Sequence, residues 1–303
     1  DDQAIEWMHK KATKFNDSAD VRYKTAANLG TFYLHSRQLD KGIEQLELAL
    51  KLNPNAHFGR ERYQLYLAKY IKLRLTNGHL QDGKLLLPLR YDREHDSQRS
   101  DLETDSSQSK DQVHPHKQVR HFGSAVAYFD DGTYRQIDEK QTADAVKGIM
   151  GMMRFGHYDS PVLLECMGDL LSETSSVNQN SAYTIAARAY MRAADLLPQE
   201  DEASRNRYHK LIKHVMHYKE NVDHQDIRRY LELELAEAKK YYAQIVADEE
   251  LWISQNADVD ALFQAKYFAS SDAQFALRNY PGDQPVINSG HKLAEVVIFI
   301  AIA

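Results

Sequence analysis

Apolar and small residues recur at helical spacing in the stretch from Tyr23 to Pro54, with one interruption. The positions on these faces are Leu29, Gly30 and Tyr33 before the break, and Gly42, Leu46 and Ala49 after it. The spacing breaks between Ser36 and Leu39, and Pro54 closes the stretch because the residue before a proline is pushed out of the helical region. The pattern predicts a helix, a tight turn and a second helix. Gly30 is expected where the neighbouring helix must approach closely, with Tyr33 filling the space beside it.

The same arrangement returns between Pro161 and Pro198. Its matching positions are Leu164, Gly168 and Leu171 in the first helix, and Ala186, Tyr190 and Ala193 in the second. Gly168 to Ala186 spans 18 residues, whereas Gly30 to Gly42 spans 12, so six residues are inserted at about 175–180. The Ser/Asn-rich composition of the insert predicts a loop.

At these positions the chain resembles the tetratricopeptide repeat (TPR) family, whose repeat of about 34 residues places small and large residues at the same intervals. Gly42 departs from the family, which usually has alanine there. The resemblance implies an all-α fold, an α-α superhelix of TPR-like helix pairs that acts as a scaffold for other proteins. The residues that carry it are Leu29, Gly30, Tyr33, Leu46, Ala49, Pro54, Gly168, Ala186, Tyr190 and Ala193.

Helical spacing outside the two units predicts further helices over 4–15, 58–75, 143–155, 204–218, 225–253, 261–268 and 272–279. Two insertions interrupt them. Residues 92–117 are polar with almost nothing to bury, which predicts a mobile loop. Alternating apolar residues around Asp131-Gly132 predict one small β-hairpin over 123–137. The predicted organisation is an N-terminal helical unit (1–91), a loop and hairpin insertion (92–142), a second helical unit (143–222), and a long helix with an apolar tail (223–303).

The charge and the motifs narrow the classes of function. A net charge of −6 without a dense Lys/Arg run argues against nucleic-acid binding. One cysteine, Cys166, leaves no intrachain disulfide or thiolate metal cluster, and no phosphate loop, nucleophile elbow or dinucleotide fingerprint is present. We therefore expect no enzyme, cofactor or metal. A His-based metal enzyme is the weaker alternative, on His114 and His116 or on His209, His214 and His217.

The segment Leu293 to Ala303 is the most apolar run of the chain, about half the length needed to cross a bilayer. It is open to three interpretations: a buried terminal element, part of a membrane anchor, or a consequence of where the chain is cut. The sequence begins at Asp1 without methionine, so either a leader has been removed or the chain is cut from a longer one. Both are compatible with an extracytoplasmic (periplasmic) or membrane-anchored location. A structural subunit of a membrane-associated assembly is therefore an alternative function.

The resemblance also implies a concave groove built from the first helix of each repeat, where a protein or peptide binds. The matching positions are Lys24, Ala27, Thr31, Leu34 and His35 in the first unit, and Val162, Glu165, Asp169 and Glu173 in the second. The last three carboxylates form a row with about 6 Å between neighbours. Either the row is a solvated face, or it awaits a basic segment of the partner. On the second interpretation, neutralising Glu165 and Asp169 together is expected to leave stability equal or higher, because like charges repel, and to weaken binding of the partner.

Overall fold

The protein is described by a computed structural model that covers residues 2–15, 18–55, 59–76, 80–81, 84–91, 118–155, 158–173, 179–217 and 224–268. These residues are mostly helical, which confirms the predicted all-α class. The segment 92–117, the predicted helix 272–279 and the apolar run 293–303 lie outside the described residues.

Four helices and a short strand pair come first: α1 (Asp2–Lys14), α2 (Ala19–His35), α3 (Leu39–Leu52), α4 (Arg60–Thr76), β1 (Leu80–Gln81) and β2 (Lys84–Leu85). Ser18 caps α2 by accepting a hydrogen bond from the Val21 amide. Arg37 has a φ of 61° in the tight turn between α2 and α3. The predicted break at Ser36 to Leu39 is therefore confirmed, and α3 ends two residues before Pro54.

Seven helices follow: α5 (Phe122–Asp131), α6 (Glu139–Phe155), α7 (Pro161–Ser172), α8 (Gln179–Asp195), α9 (Glu202–Met216), α10 (His224–Ser254) and α11 (Val259–Phe263). A π-helical turn over Gln264–Phe268 continues α11. Ser160 caps α7, and Pro161 occupies its first turn, where a missing amide hydrogen costs nothing. The predicted bounds of the longest helix differ from those of α10 by one residue at each end.

The predicted hairpin over 123–137 is wrong, because residues 122–131 form α5. Gly132 adopts a φ of 77° and caps this helix, with its amide bonded to the Tyr128 carbonyl. Asp-Gly supplies a positive φ to a hairpin turn and to a helix end alike, so the dipeptide does not distinguish them. The small antiparallel strand pair of this structure is instead β1 with β2, between α4 and α5.

The helices pack largely in chain order. α1 contacts α2, α2 contacts α3, α3 contacts α4, and α6, α7, α8 and α9 continue the series, with α4 against α6. α5 leaves this order and lies against both α4 and α7. A single large cluster of buried apolar residues extends from Leu46 on α3 to Leu231 on α10. The segment between α4 and α6 is therefore inserted beside a continuous stack.

The close helix approaches predicted from the two glycines are confirmed. A Cβ atom on Gly30 would lie 2.8 Å from Leu46 Cγ, and one on Gly168 would lie 2.5 Å from Tyr190 Cε1. Both distances are too short for real atoms, so each helix pair depends on the missing side chain. Leu46 and Tyr190 occupy matching positions once the six inserted residues are allowed for. Tyr33, by contrast, packs toward α1 with Ile5 and Leu29 rather than beside Gly30.

Candidate functional site

The acidic row on α7 is the part of the predicted groove that the structure places most differently. Glu165 and Asp169 have no exposed surface, whereas both sequence interpretations require them to be open. Glu173, at the end of α7, has a side chain that is 22% exposed. The three carboxylates do lie on one side of the helix, but other parts of the same chain cover the first two.

Glu165 holds the backbone of an irregular segment, residues 87–91, that we call the inner segment. Its Oε2 atom accepts a hydrogen bond from the Leu89 amide, and its Oε1 atom accepts one from the Arg90 amide, each at 2.9 Å. Tyr208 on α9 donates its hydroxyl hydrogen to Oε2, also at 2.9 Å. One carboxylate thus joins two consecutive amides of the inner segment to two helices.

Asp169 holds the side chain of Arg90, which belongs to the inner segment. Its Oδ1 atom accepts hydrogen bonds from Arg90 Nη1 at 3.0 Å and from the Tyr190 hydroxyl at 2.8 Å. Its Oδ2 atom accepts the Phe122 amide, in the first turn of α5, at 2.9 Å. Because the charged hydrogen bond to arginine is shielded from water, it fixes both the position and the register of the inner segment.

His121 connects the third carboxylate to the start of α5. Its Nδ1 atom accepts the Ser124 amide at 3.3 Å, which caps the helix, and its Nε2 atom lies 2.8 Å from Glu173 Oε1. With Nδ1 accepting, Nε2 carries the hydrogen that is donated to Glu173. Burial alone would raise the pKa of Glu173, but the hydrogen bond from His121 and the nearby positive charge of Arg90 outweigh it and lower that pKa.

Two chain segments run side by side into this site, the inner segment and residues 118–121. The Tyr91 amide donates to the Arg120 carbonyl at 2.7 Å. This bond joins the backbone before residues 92–117 to the backbone after them. Arg207 on α9 donates to the Arg90 carbonyl at 3.0 Å, and the buried Arg74 on α4 donates to the Val119 carbonyl. Side chains of three helices, α4, α7 and α9, therefore hold these segments.

The buried environment raises the pKa of Glu165. Loss of water and the nearby charge of Asp169 raise it to about 7, although the two amides and the Tyr208 hydroxyl favour the ionised form. Burial also raises the pKa of Cys166, well above the usual value of a thiol, so this residue is a poor nucleophile. Every carboxylate oxygen of Glu165 and Asp169 already accepts a hydrogen bond from the chain itself. The arrangement therefore holds a segment of polypeptide in place.

Some of the predicted groove residues of the first unit are exposed, and the others are buried or half-buried against neighbouring helices. Lys24 and His35 are exposed, and Lys24 pairs with Asp20 at 2.7 Å. Thr31 is half-buried and accepts a hydrogen bond from Gln64 on α4 at 3.1 Å. Leu34 fills the space over Gly42, where a Cβ atom would come within 2.6 Å of it, so its side chain packs against α3 instead of lining an open groove. The same contact accounts for glycine at position 42.

The alternatives drawn from histidine and from the apolar run gain no support from the described residues. His209, His214 and His217 are exposed on α9, and within the described ranges no group of three metal-ligating side chains comes together. His114 and His116 lie outside those ranges. Among the helices that the structure describes, none is long and apolar enough to cross a membrane.

Comparison with known proteins gives no relative. No family model matches the chain, and neither curated proteins nor solved structures include a match.

Three residues that organise the site were not singled out in the sequence: Arg90, His121 and Tyr208. The available signal was the apolar run Leu85–Leu89, which precedes Arg90 and ends where the polar segment begins. Such a run is typical of buried chain, so a charged residue at its end requires a buried partner. Asp169, which was predicted to line the groove, is that partner.

Proposed function

We propose that the protein is a non-catalytic scaffold of TPR-like helix pairs, which binds an extended segment of a protein partner. Two helix pairs, α2 with α3 and α7 with α8, approach too closely at matching glycines to admit a Cβ atom. The helices also contact their neighbours in chain order, as the units of a repeat protein do. Both features support the superhelical arrangement that the TPR resemblance implies.

The observation that carries the proposal is the way α7 holds a non-helical segment of its own chain, the inner segment. Glu165 takes consecutive backbone amides, which any sequence offers, and Asp169 takes a specific side chain, that of Arg90. Backbone bonds supply affinity and a side-chain contact supplies specificity in peptide recognition generally. The second unit thus recognises a peptide segment in cis.

The matching face of α2 is the surface that we assign to the partner. Ala27, Thr31 and His35 occupy the positions of Glu165, Asp169 and Glu173, and Lys24 occupies that of Val162. Lys24 and His35 are exposed, and Gln64 brings α4 alongside Thr31. A segment along this face would meet the side chains of Lys24 and His35, which can donate hydrogen bonds to its backbone carbonyl groups. Ala27, by contrast, is buried, and the Thr31 hydroxyl donates to the Ala27 carbonyl. A basic segment at Glu165 and Asp169 would first have to displace Arg90, so the partner's basic residues are not required.

A displayed random-peptide library, selected against the full chain, tests the proposal. Enriched peptides are then titrated against the wild type, a Lys24→Glu, His35→Ala variant, and a Lys51→Glu variant. Lys51 is exposed on α3 and controls for the change of charge. We expect the α2 variant to weaken binding about tenfold or more, and the control about twofold or less. Failure to enrich any peptide, or equal binding by both variants, would contradict the assignment.

A further inference from the structure

The two halves of α10 have different surroundings. Ile227, Leu231 and Ala238 in the first half are buried, and this half packs against α8. The second half, residues 239–254, contacts the short helix α11 and the π-helical turn that follows it. The long helix therefore extends its second half beyond the stack of helices.

One side of this second half is covered. Asp248 accepts hydrogen bonds from Lys266 and Tyr267, and the ring of Tyr267 lies 5.7 Å from that of Tyr241 and 6.5 Å from that of Trp252. These contacts use the helix positions 241, 248 and 252. The side of α10 that carries them is thus already occupied by the chain's own π-helical turn.

A different side carries a stripe that we call the α10 stripe. It consists of Lys239, Tyr242, Val246, Glu250 and Ile253, which are three or four residues apart and so fall on one face of the helix. Tyr242 is 55% exposed and Ile253 is 66% exposed, while Lys239 and Glu250 are also exposed. Spacing of this kind, with apolar residues between charges, is typical of helices that pair with another helix.

The order of charges on the α10 stripe selects the partner and its direction. Lys239 lies at the first end and Glu250 at the last, with Tyr242 and Val246 between them. If two copies paired in parallel, lysine would face lysine and glutamate would face glutamate, which is unfavourable. In an antiparallel pair each Lys239 lies opposite Glu250 of the second copy, and Ala243 lies opposite Val246. A two-fold axis produces both ion pairs at once.

We propose that the α10 stripe is a self-association surface, which pairs antiparallel with the same stripe of a second copy of this chain. The stripe is about 21 Å long from Lys239 to Ile253, at 1.5 Å per residue. Apolar contacts of Tyr242, Val246 and Ile253 supply affinity, and the Lys239 and Glu250 pairs fix the direction. The surface is separate from the peptide-binding face of α2 and does not depend on the function proposed for that face.

Sedimentation equilibrium of the full chain tests the pairing, at concentrations from about 1 to 100 µM. The wild type is expected to dimerise in this range. Lys239→Glu and Glu250→Lys each place like charges opposite one another, so each variant alone should dimerise about tenfold more weakly. An equimolar mixture of the two should recover the dimer, because every facing pair is again of opposite charge. Lys240→Glu, a neighbouring exposed lysine outside the stripe, is the matched control and should dimerise as the wild type does.

Circular dichroism of each variant establishes that the fold is retained. A wild type that stays monomeric over the whole range overturns the proposal, as does a mixture that does not recover the dimer. If the full chain stays monomeric and dimerises only after residues 293–303 are removed, that apolar run occupies the stripe. This result would also overturn the proposal.

Discussion

The guanidinium of Arg90 lies 3.0 Å from the carboxylate of Asp169, although the two residues are 79 positions apart. The carboxylate is fully buried and the arginine side chain is 19% exposed. The acidic row, which the sequence left open as a solvated face or a site for a basic partner segment, thus binds the chain's own inner segment. The stability of the site should therefore depend on the contact.

Arg90→Ala should lower the free energy of unfolding by about 3–5 kcal/mol, because it leaves the charge of Asp169 buried without its ion-pair partner. Urea denaturation followed by circular dichroism measures the change. Arg135→Ala is the control, since Arg135 pairs with Asp131 at the surface, where an ion pair contributes about 1 kcal/mol or less. Equal losses in the two variants would contradict the buried contact.

The paired replacement Glu165→Gln with Asp169→Asn should also destabilise the protein, by more than about 2 kcal/mol. The sequence alone predicted equal or higher stability for this variant. Burial reverses the expected sign. The two carboxylates accept hydrogen bonds from backbone amides and from Arg90. The neutral side chains of Gln and Asn can accept only part of these hydrogen bonds. A melting temperature at or above that of the wild type would contradict the buried arrangement and support an open acidic row.

Stability should depend on pH through Glu165. Burial raises the pKa of this carboxyl group to about 7 in the folded protein, from an ordinary value of 4.5, so the folded state binds its proton more tightly. The resulting stabilisation is present in full below about pH 4.5, and is lost as the pH rises through about 7. The free energy of unfolding of the wild type, minus that of the Glu165→Gln variant, should therefore fall by up to about 3 kcal/mol between pH 4.5 and pH 8. A difference independent of pH would contradict the raised pKa.

Gly168→Ala and Gly30→Ala should each cost about 1–3 kcal/mol, because the added methyl group meets Tyr190 or Leu46 at less than 3 Å. Gly151→Ala is the control within helix α6. Its Cβ atom would meet only the flexible side chain of Arg60, at 3.2 Å, so the gain in helix propensity should leave stability equal or higher. Thermal unfolding of the three variants checks the order, and a neutral Gly168→Ala would contradict the close approach.

The parts of the fold that sequence predicted are those set by nearby residues. The positions of Gly30 and Gly168 within their helix pairs were sufficient to predict a close helix approach, although not that Leu46 and Tyr190 are the residues that meet them. Asp131-Gly132 was misassigned because a positive φ serves two local structures. Glu165 and Asp169 were correctly predicted to share one face of α7, but the segments that cover them could not be predicted. Their partners Arg90 and Phe122 come from distant segments, and helical spacing carries no information on such contacts.

Replacing residues 92–117 by a short Gly/Ser linker should leave the melting temperature within about 4 °C of the wild-type value. The replaced segment has a composition with little to bury, and the Tyr91 to Arg120 backbone bond already joins its ends. A linker that replaces 87–121 is the contrasting variant, because it also removes Arg90 and His121, and it should unfold at markedly lower temperature. If both replacements destabilise equally, residues 92–117 dock on the stack.

Hydrogen exchange at the amides of Leu89 and Arg90 tests most directly whether α7 holds the inner segment. Both amides donate to the buried carboxylate of Glu165, so exchange in the full chain should be slowed by a factor of about 1,000 or more relative to an unstructured peptide. The same amides should exchange faster in Glu165→Gln. Exchange of Leu89 and Arg90 at the unstructured rate in the wild type would show that the face of α7 is open, and would contradict the account.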